Sequence, residues 1–378
     1  MAATTTVPFA NYLKLLTNDP STFTAPHAHA AAQDIMHGRA TQAQIGAFLM
    51  LLKSSRLETE PAIIAAVASA MREAALPIHF PNSGNAPASA PAPVVDIVGT
   101  GGDGLDTFNV STAAGIVAAG AGCRVAKHGN RASSSACGSA DVLEALHCRL
   151  TSITPESVPK IIADTRFCFL FSQTFHPAMK NVASARKELG VRTIFNLLGP
   201  LSSPALPKRM IVGVYTQALG PLMAEALRIS GVERAWVVCG AMGLDEIAPE
   251  GKTDVWSLEP NGEVTAGIVT PSDFGLLAHP LSDVVGGLPA HNAETMLDLV
   301  NGRLPAGHPV LDFVLLNAGA LLYVAGKANT LPEAAQMARR AIEDGTAKRA
   351  LEGFRAASQE LMDQAVPPSV TTAPTTSS

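Results

Sequence analysis

The chain has 378 residues, of which 47% are hydrophobic and 5% aromatic, and its 27 Lys+Arg against 32 Asp+Glu give a net charge of −5. Such a length supports a large core and, by expectation, two domains, while the lack of any dense basic run disfavours nucleic acid as the main partner, since phosphate-backbone binding needs concentrated cations. No apolar run is long enough to span a bilayer, no signal peptide is evident, and five cysteines without a C-x-x-C pair argue against a disulfide framework or a zinc site, so a soluble, reducing, cytoplasmic setting is expected.

Residues 1–80 read as a small, mostly helical domain. Thr41 to Gln44 is a capping box ahead of Ile45, Phe48, Leu49 and Leu52. Thr59, Glu60 and Pro61 open a further helix, on which Ile63, Val67 and Met71 share one face. Residues 81–93, rich in Pro, Ala, Ser and Gly, read as a loop or linker. After residue 94 the rhythm changes. Short apolar runs at Val94 to Val98, Arg124 to Lys127, Phe167 to Ser172, Met210 to Tyr215 and Ala235 to Cys239 are strand candidates. Helical patterns separate most of them: Thr112 to Ala121, Ala140 to Leu146, Pro155 to Asp164, Pro177 to Leu189 and Ala218 to Ile229. The alternation predicts an α/β domain over 94–365 with a mostly parallel central sheet. Further helices are expected near His291 to Asn301, Pro309 to Ala325 and Leu331 to Glu343, and the Thr/Ser/Pro-rich 366–378 reads as a disordered tail.

Four segments carry chemistry. Asp96 to Gly104 runs out of the first strand candidate and contains Gly99, Thr100, Gly101, Gly102 and Asp103; Asn109, Ser111 and Thr112 then open an Ala/Gly helix. Glycines at a strand end let backbone N–H groups approach an anion, and the helix N-terminus adds free donors. The segment is neither a Walker loop nor G-x-G-x-x-G, and a plain turn with an N-cap is the alternative. Lys127, His128, Gly129, Asn130 and Arg131 follow the second strand candidate, with Ser133 to Ser135 and Gly138 to Asp141 beyond. Lys127 can act as a point charge on phosphate, and Arg131 can clamp phosphate or pair with a carboxylate. Asp245 and Glu246 follow the fifth candidate, where adjacent carboxylates can share a hard cation such as Mg²⁺ or simply be solvated. Finally, Met179, Val182, Ala183 and Arg186 line one side of a helix opened by His176 and Pro177. That strip suits a flat carboxylate-bearing ligand, or else Arg186 snorkels to solvent.

Together these segments resemble the anthranilate phosphoribosyltransferase family over nearly the whole chain. The most specific parts are Gly99 to Asp103, Asn109 to Thr112, Lys127 to Arg131, Gly138 to Asp141 and Asp245-Glu246; weaker support comes from Ala43 to Leu49, His176-Pro177, Phe195 to Pro200 and Asn317-Ala318. The resemblance implies a nucleoside phosphorylase/phosphoribosyltransferase-like fold, commonly a homodimer through its helical domains. It implies transfer of a 5-phosphoribosyl group from phosphoribosyl pyrophosphate to the anthranilate amine, with Mg²⁺. By that resemblance Gly99, Gly102, Asp103, Thr107, Asn109, Ser111, Thr112, Lys127 and Ser139 hold phosphoribosyl pyrophosphate. Gly99, His128, Asn130 and Arg186 fall on the anthranilate side, and Ser111, Asp245 and Glu246 at the metal, with Lys127 and Arg186 as the catalytic pair. It further implies that helices near 180–205 return to the N-terminal domain. Three stretches depart from the family pattern: Ser133 to Cys137, the long Ser83 to Pro93, and Leu201 to Pro204. A pyrimidine nucleoside phosphorylase shares the architecture, but Asn130-Arg131 and Asp245-Glu246 favour the transferase. A non-catalytic nucleic-acid binder on the same scaffold should show a basic stripe and no acidic metal ligands, and this chain has neither property.

Overall fold

In the computed structural model, which describes residues 8–81, 93–132 and 135–365, the apolar runs form five adjacent strands of one seven-stranded sheet. β1 (Val94–Gly99), β2 (Arg124–Gly129), β3 (Phe167–Phe171), β4 (Arg209–Gly213) and β5 (Arg234–Cys239) lie parallel in the order β3-β2-β1-β4-β5. β6 (Thr253–Leu258) and β7 (Val264–Val269) extend the sheet as an antiparallel hairpin. The sheet is mostly parallel, as expected; the hairpin is not announced by any apolar run. Its sequence signal is Asn261-Gly262, where Gly262 has φ 83° and its N–H donates to Glu259 O at 2.8 Å. β7 has no core-facing alternation because most of its side chains are exposed.

Strands covered on both faces alternate between two apolar environments. In β4, Ile211 faces one core while Met210 and Val212 face another. The first core is closed by helices Val110–Gly120, Pro309–Val324, Leu331–Glu343 and Thr346–Ala365. The last of these is absent from the sequence expectations. Its buried residues Ala347, Ala350, Leu351, Phe354 and Ser358 do recur at helical spacing, but three of the five are small or polar.

The second core joins the other face of the sheet to the N-terminal helices Phe9–Asn18, Ala25–Met36, Gln42–Ser54 and Pro61–Glu73. The Thr41 capping box forms in both directions: Thr41 Oγ1 accepts from Gln44 N–H at 3.3 Å, and Gln44 Oε1 accepts from Thr41 N–H at 2.9 Å. Helix Lys180–Leu189 and the segment after it enter this core through Val182, Ala185, Ile194, Phe195, Leu198 and Leu201. One detail differs from the expected strip: Ala185 is buried and Ala183 exposed. Gln42 fixes that rotation, since its Nε2 donates to Asn181 O and its Oε1 accepts from Ala185 N–H, both at 2.9 Å. Among the described residues no helix is long and apolar enough to cross a membrane. The loop expected over 82–92 and the tail over 366–378 lie outside the described residues.

Candidate active site

The carboxyl ends of β1 and β2 and the loop after β5 enclose a cavity of roughly 320 Å³, at the edge where open α/β sheets place their ligands. Gly99, Gly102, Asp103, Thr107, Asn109, Ser111, Lys127, His128, Asn130, Ser139, Asp245 and Glu246 all line it. Close backbone approach builds its floor. Gly99 and Gly213 are register partners on β1 and β4, and the Asp245 loop crosses both. A Cβ on Gly213 would lie 1.5 Å from Asp245 O, and one on Gly99 2.2 Å from Asp245 Oδ2. Gly101 N–H donates to Asp245 Oδ2 at 2.7 Å, tying the glycine loop to the carboxylate loop.

Lys127 is almost fully buried, 2% exposed. Its Nζ donates to Ile97 O at 2.5 Å and to Ser111 Oγ at 3.2 Å. Burial pulls its pKa down, and Asp96, Glu246 and Asp245 oppose that shift. Burial pushes Asp245 up to about 7, helped by Asp103, and Glu246 up to about 8, helped by Asp245 and opposed by Lys127 and Ser111. One cation thus faces several carboxylates that are costly to keep ionised. Asp96, which the sequence reading left without a role, is wholly buried on β1. It accepts from Ile97 N–H at 2.8 Å and His128 N–H at 3.3 Å, and burial lifts it to about 7 against the pull of Lys127.

The remaining loops are held by their own polar groups. Arg131 resolves in favour of a carboxylate: Nη2 lies 2.7 Å and Nε 3.2 Å from the two Glu144 oxygens, over the Phe171 ring. Asp141 Oδ2 accepts from both Ala132 and Gly138 N–H at 2.8 Å, fixing the loop that presents Ser139. Asn130 Oδ1 accepts from Arg131 N–H at 2.8 Å. Ser133 and Ser134 lie outside the described residues. Cys137 lines the cavity, but burial raises its thiol pKa, which disfavours a nucleophile. Arg192, also unassigned by the sequence, stacks 4.3 Å from the Tyr215 ring centroid and donates to Gly102 O.

Two expected site residues stand apart from the cavity lining. Thr112 is fully buried, and its Oγ1 has no partner among the described residues. Arg186 lies half-buried over the Phe195 ring, 5.6 Å from its centroid. Burial alone shifts it downward, so no carboxylate among the described residues neutralises it.

The His128 and His176 rings pack at a tilt of 56° with centroids 5.0 Å apart, each residue 4% exposed. His128 Nδ1 donates to Gly199 O at 3.2 Å, leaving Nε2 as an acceptor without a partner. Burial, with His176 adding to it, drives His128 down to about 3, and burial drives His176 to about 4. The unfolded chain protonates these rings near 6.5, whereas the fold resists until about 4, so the two rings cost stability as pH drops through that window, against the opposite slope of the raised carboxyls Asp96, Asp245 and Glu246. The expected loss is about 1.4 kcal/mol per pH unit per ring. Urea unfolding of the wild type and of His176→Gln at pH 7 and pH 5 should show it as a difference: on acidification the wild type loses more stability, or gains less, than the variant. An equal slope in that variant would clear His176 of the effect.

Known proteins resemble this chain in sequence and in fold. Two family models match: the helical bundle domain of the glycosyl transferase family over residues 10–75, and its a/b domain over residues 91–348. The anthranilate phosphoribosyltransferase of Schizosaccharomyces pombe is 44% identical over 88% of this chain and 92% of its own. The Saccharomyces cerevisiae enzyme in complex with PRPP and Mg superposes with a TM-score of 0.84 at 32% identity, covering 93% of this chain and 98% of its own. The same yeast enzyme in complex with 4-fluoroanthranilate gives a TM-score of 0.84 at 30% identity, over 95% and 100%.

Proposed function

The chain belongs to the anthranilate phosphoribosyltransferases of the glycosyl transferase family, and from that premise we propose how its own residues perform the transfer. The reaction moves the 5-phosphoribosyl group of phosphoribosyl pyrophosphate to the amine of anthranilate and releases pyrophosphate, a step of tryptophan biosynthesis. The observation that carries the residue assignment is the cavity where the glycine loop, the Lys127 loop and the Asp245-Glu246 pair meet.

In this reading Gly99, Gly102, Asp103, Thr107, Asn109, Ser111, Lys127 and Ser139 hold phosphoribosyl pyrophosphate, while Thr112, fully buried and outside the lining, supports the first turn of helix Val110–Gly120. Magnesium fits the donor set Ser111, Asp245 and Glu246: all three offer hard oxygens, and a divalent cation would relieve the cost that lifts both carboxylates. When bound, it supplies charge neutralisation of the departing pyrophosphate. Lys127 adds a fixed positive charge there, already desolvated and oriented by Ile97 O and Ser111.

The amine nitrogen bonds to C1 as the C1–O bond breaks, the bonding pair leaves with pyrophosphate, and one amine proton passes to solvent. An aniline-type nitrogen is already neutral near pH 7, so positioning matters more than deprotonation. His128 suits that task. Held neutral by burial, it keeps the proton on Nδ1 toward Gly199 O and offers the Nε2 lone pair to an amine N–H. Gly99 and Asn130 complete that side, and Arg186, unmatched by any carboxylate among the described residues, takes the carboxylate of anthranilate.

Arg186→Ala should raise the KM for anthranilate about 10- to 100-fold, the range of a charge-assisted hydrogen bond, and leave that for phosphoribosyl pyrophosphate within a few-fold. An unchanged KM for anthranilate removes Arg186 from this role. The function itself is tested with purified protein, Mg²⁺ and phosphoribosyl pyrophosphate offered to a panel of aromatic amines and nucleobases. Turnover of a nucleobase in preference to anthranilate would sink the reading. A homodimer through the helical bundle, testable by light scattering, and a cytoplasmic location, which the five buried free thiols support, complete it.

A further inference from the structure

The segment that carries Thr107 and Asn109 is not held by the sheet. It lies between the glycine loop and helix Val110–Gly120, and a distant stretch straps it down. Phe108 N–H donates to Val284 O at 2.9 Å, Gly286 N–H donates to Asp106 O at 2.7 Å, and Thr107 bridges Val285. Beside that strap a line of amides runs through the protein. Asn292, 1% exposed on helix Pro289–Val300, accepts from Gly287 N–H through Oδ1 at 2.7 Å. Its Nδ2 donates to Asn109 Oδ1 at 2.9 Å, and Asn109 Nδ2 donates to Cys137 O at 2.9 Å. Three separate pieces are thereby linked: the strap, the start of the phosphate-binding helix, and the loop that presents Ser139.

We propose that Asn292 is a positioning residue for phosphoribosyl pyrophosphate, acting through Asn109 to fix the distance between the glycine-loop side and the serine-loop side of the cavity. The proposal rests on the functional reading above. Direction matters in this line. The Gly287 N–H can only donate and Cys137 O can only accept, so each amide between them must present its oxygen toward the Gly287 N–H and its nitrogen toward Cys137 O. A carboxamide at 292 satisfies both ends, because it accepts on one side and donates on the other. A carboxylate of the same shape still accepts from Gly287 but has nothing to donate to Asn109. Asn109 must then turn its own nitrogen toward residue 292, which sets its oxygen against Cys137 O and releases the serine-side loop. Asn292 itself does not line the cavity, so its effect on substrate passes through its neighbours, Asn109 first among them.

The test is Asn292→Asp and Asn292→Ala, with Asn109→Ala and the double variant Asn109→Ala/Asn292→Asp. Calorimetric binding of phosphoribosyl pyrophosphate, steady-state kinetics and thermal midpoints are measured on each full-length protein. Asn292→Asp should weaken phosphoribosyl pyrophosphate binding and raise its KM about tenfold or more, the scale of a lost buried hydrogen bond. The KM for anthranilate should stay within about twofold, and the double variant should bind no worse than Asn109→Ala alone, since coupled residues are non-additive. Unchanged phosphoribosyl pyrophosphate binding in Asn292→Asp overturns the proposal. So does additive loss in the double variant. A collapse of the thermal midpoint with both substrates affected alike also overturns it, because that marks a general packing role. If the wild-type protein binds phosphoribosyl pyrophosphate without transferring to anthranilate, the functional reading fails, and the binding series still decides the role of Asn292.

Discussion

Lys127→Met should cost at least about 10³-fold in kcat/KM, because it removes the fixed cation from a desolvated site where preorganised charge contributes most to catalysis. Methionine keeps the length and the apolar stem, so packing changes little; what disappears is the charge and its two hydrogen bonds, to Ile97 O and Ser111 Oγ. The loss should fall on both kcat and the KM for phosphoribosyl pyrophosphate. Added magnesium should not restore it, since the ammonium is placed by β2 and not by the metal. Activity within about tenfold of wild type would show that the lysine is only a structural counter-charge.

The same variant should report on Asp96. In the wild type Lys127 is the charge that pulls this carboxyl downward, and burial still holds it at about 7. Without the lysine its folded pKa rises further. A carboxyl raised in the folded state favours folding in its neutral form, so its penalty is absent below the unfolded value near 4 and grows as pH rises through the folded value. The stability deficit of Lys127→Met should therefore be larger at pH 8 than at pH 6. A deficit independent of pH would remove Asp96 from the account.

What the sequence made legible follows from how local each signal is. The five parallel strands stood out because strands buried on both faces are continuous apolar runs. The helix Leu331–Glu343 matches the sequence expectation because its period is unbroken and Thr330 caps it. Helix Thr346–Ala365 was missed because alanines and Ser358 supply most of its buried face. The candidate ligand residues were visible as glycine, lysine and carboxylate clusters near strand ends. Their supports were not: Asp96 reads as one more residue of an apolar strand, and Asn292 meets Asn109 across 183 positions of chain. Arg131 was open between phosphate and carboxylate until folding set Glu144 beside it. Partnerships made only by the tertiary fold leave no local pattern to read.

Gly213→Ala should be nearly as damaging as loss of a ligand, although Gly213 does not line the cavity. The added Cβ would lie 1.5 Å from Asp245 O and 2.3 Å from Asp245 C. Both are backbone atoms, so no side-chain rotation relieves the clash, and ordinary contact needs about 3.5 Å. The Asp245 loop must therefore move by about 2 Å, which breaks the Gly101 N–H bond to Asp245 Oδ2 and displaces Glu246 from Ser111 and Lys127. Misplacement on that scale can cost about 10²-fold in rate, and the magnesium concentration for half-maximal activity should rise with it. Overpacking alone would also destabilise the protein by about 1–3 kcal/mol, so a control must carry that cost without touching the loop. Gly220→Ala does so: its Cβ would lie 2.1 Å from the Trp256 ring, between helix Leu219–Ile229 and β6. Per folded molecule, Gly220→Ala should keep near wild-type activity and magnesium dependence while Gly213→Ala loses both. Equal behaviour of the two variants would mean that the seat of the carboxylate loop on the β1 and β4 glycines does not set the chemistry of the site.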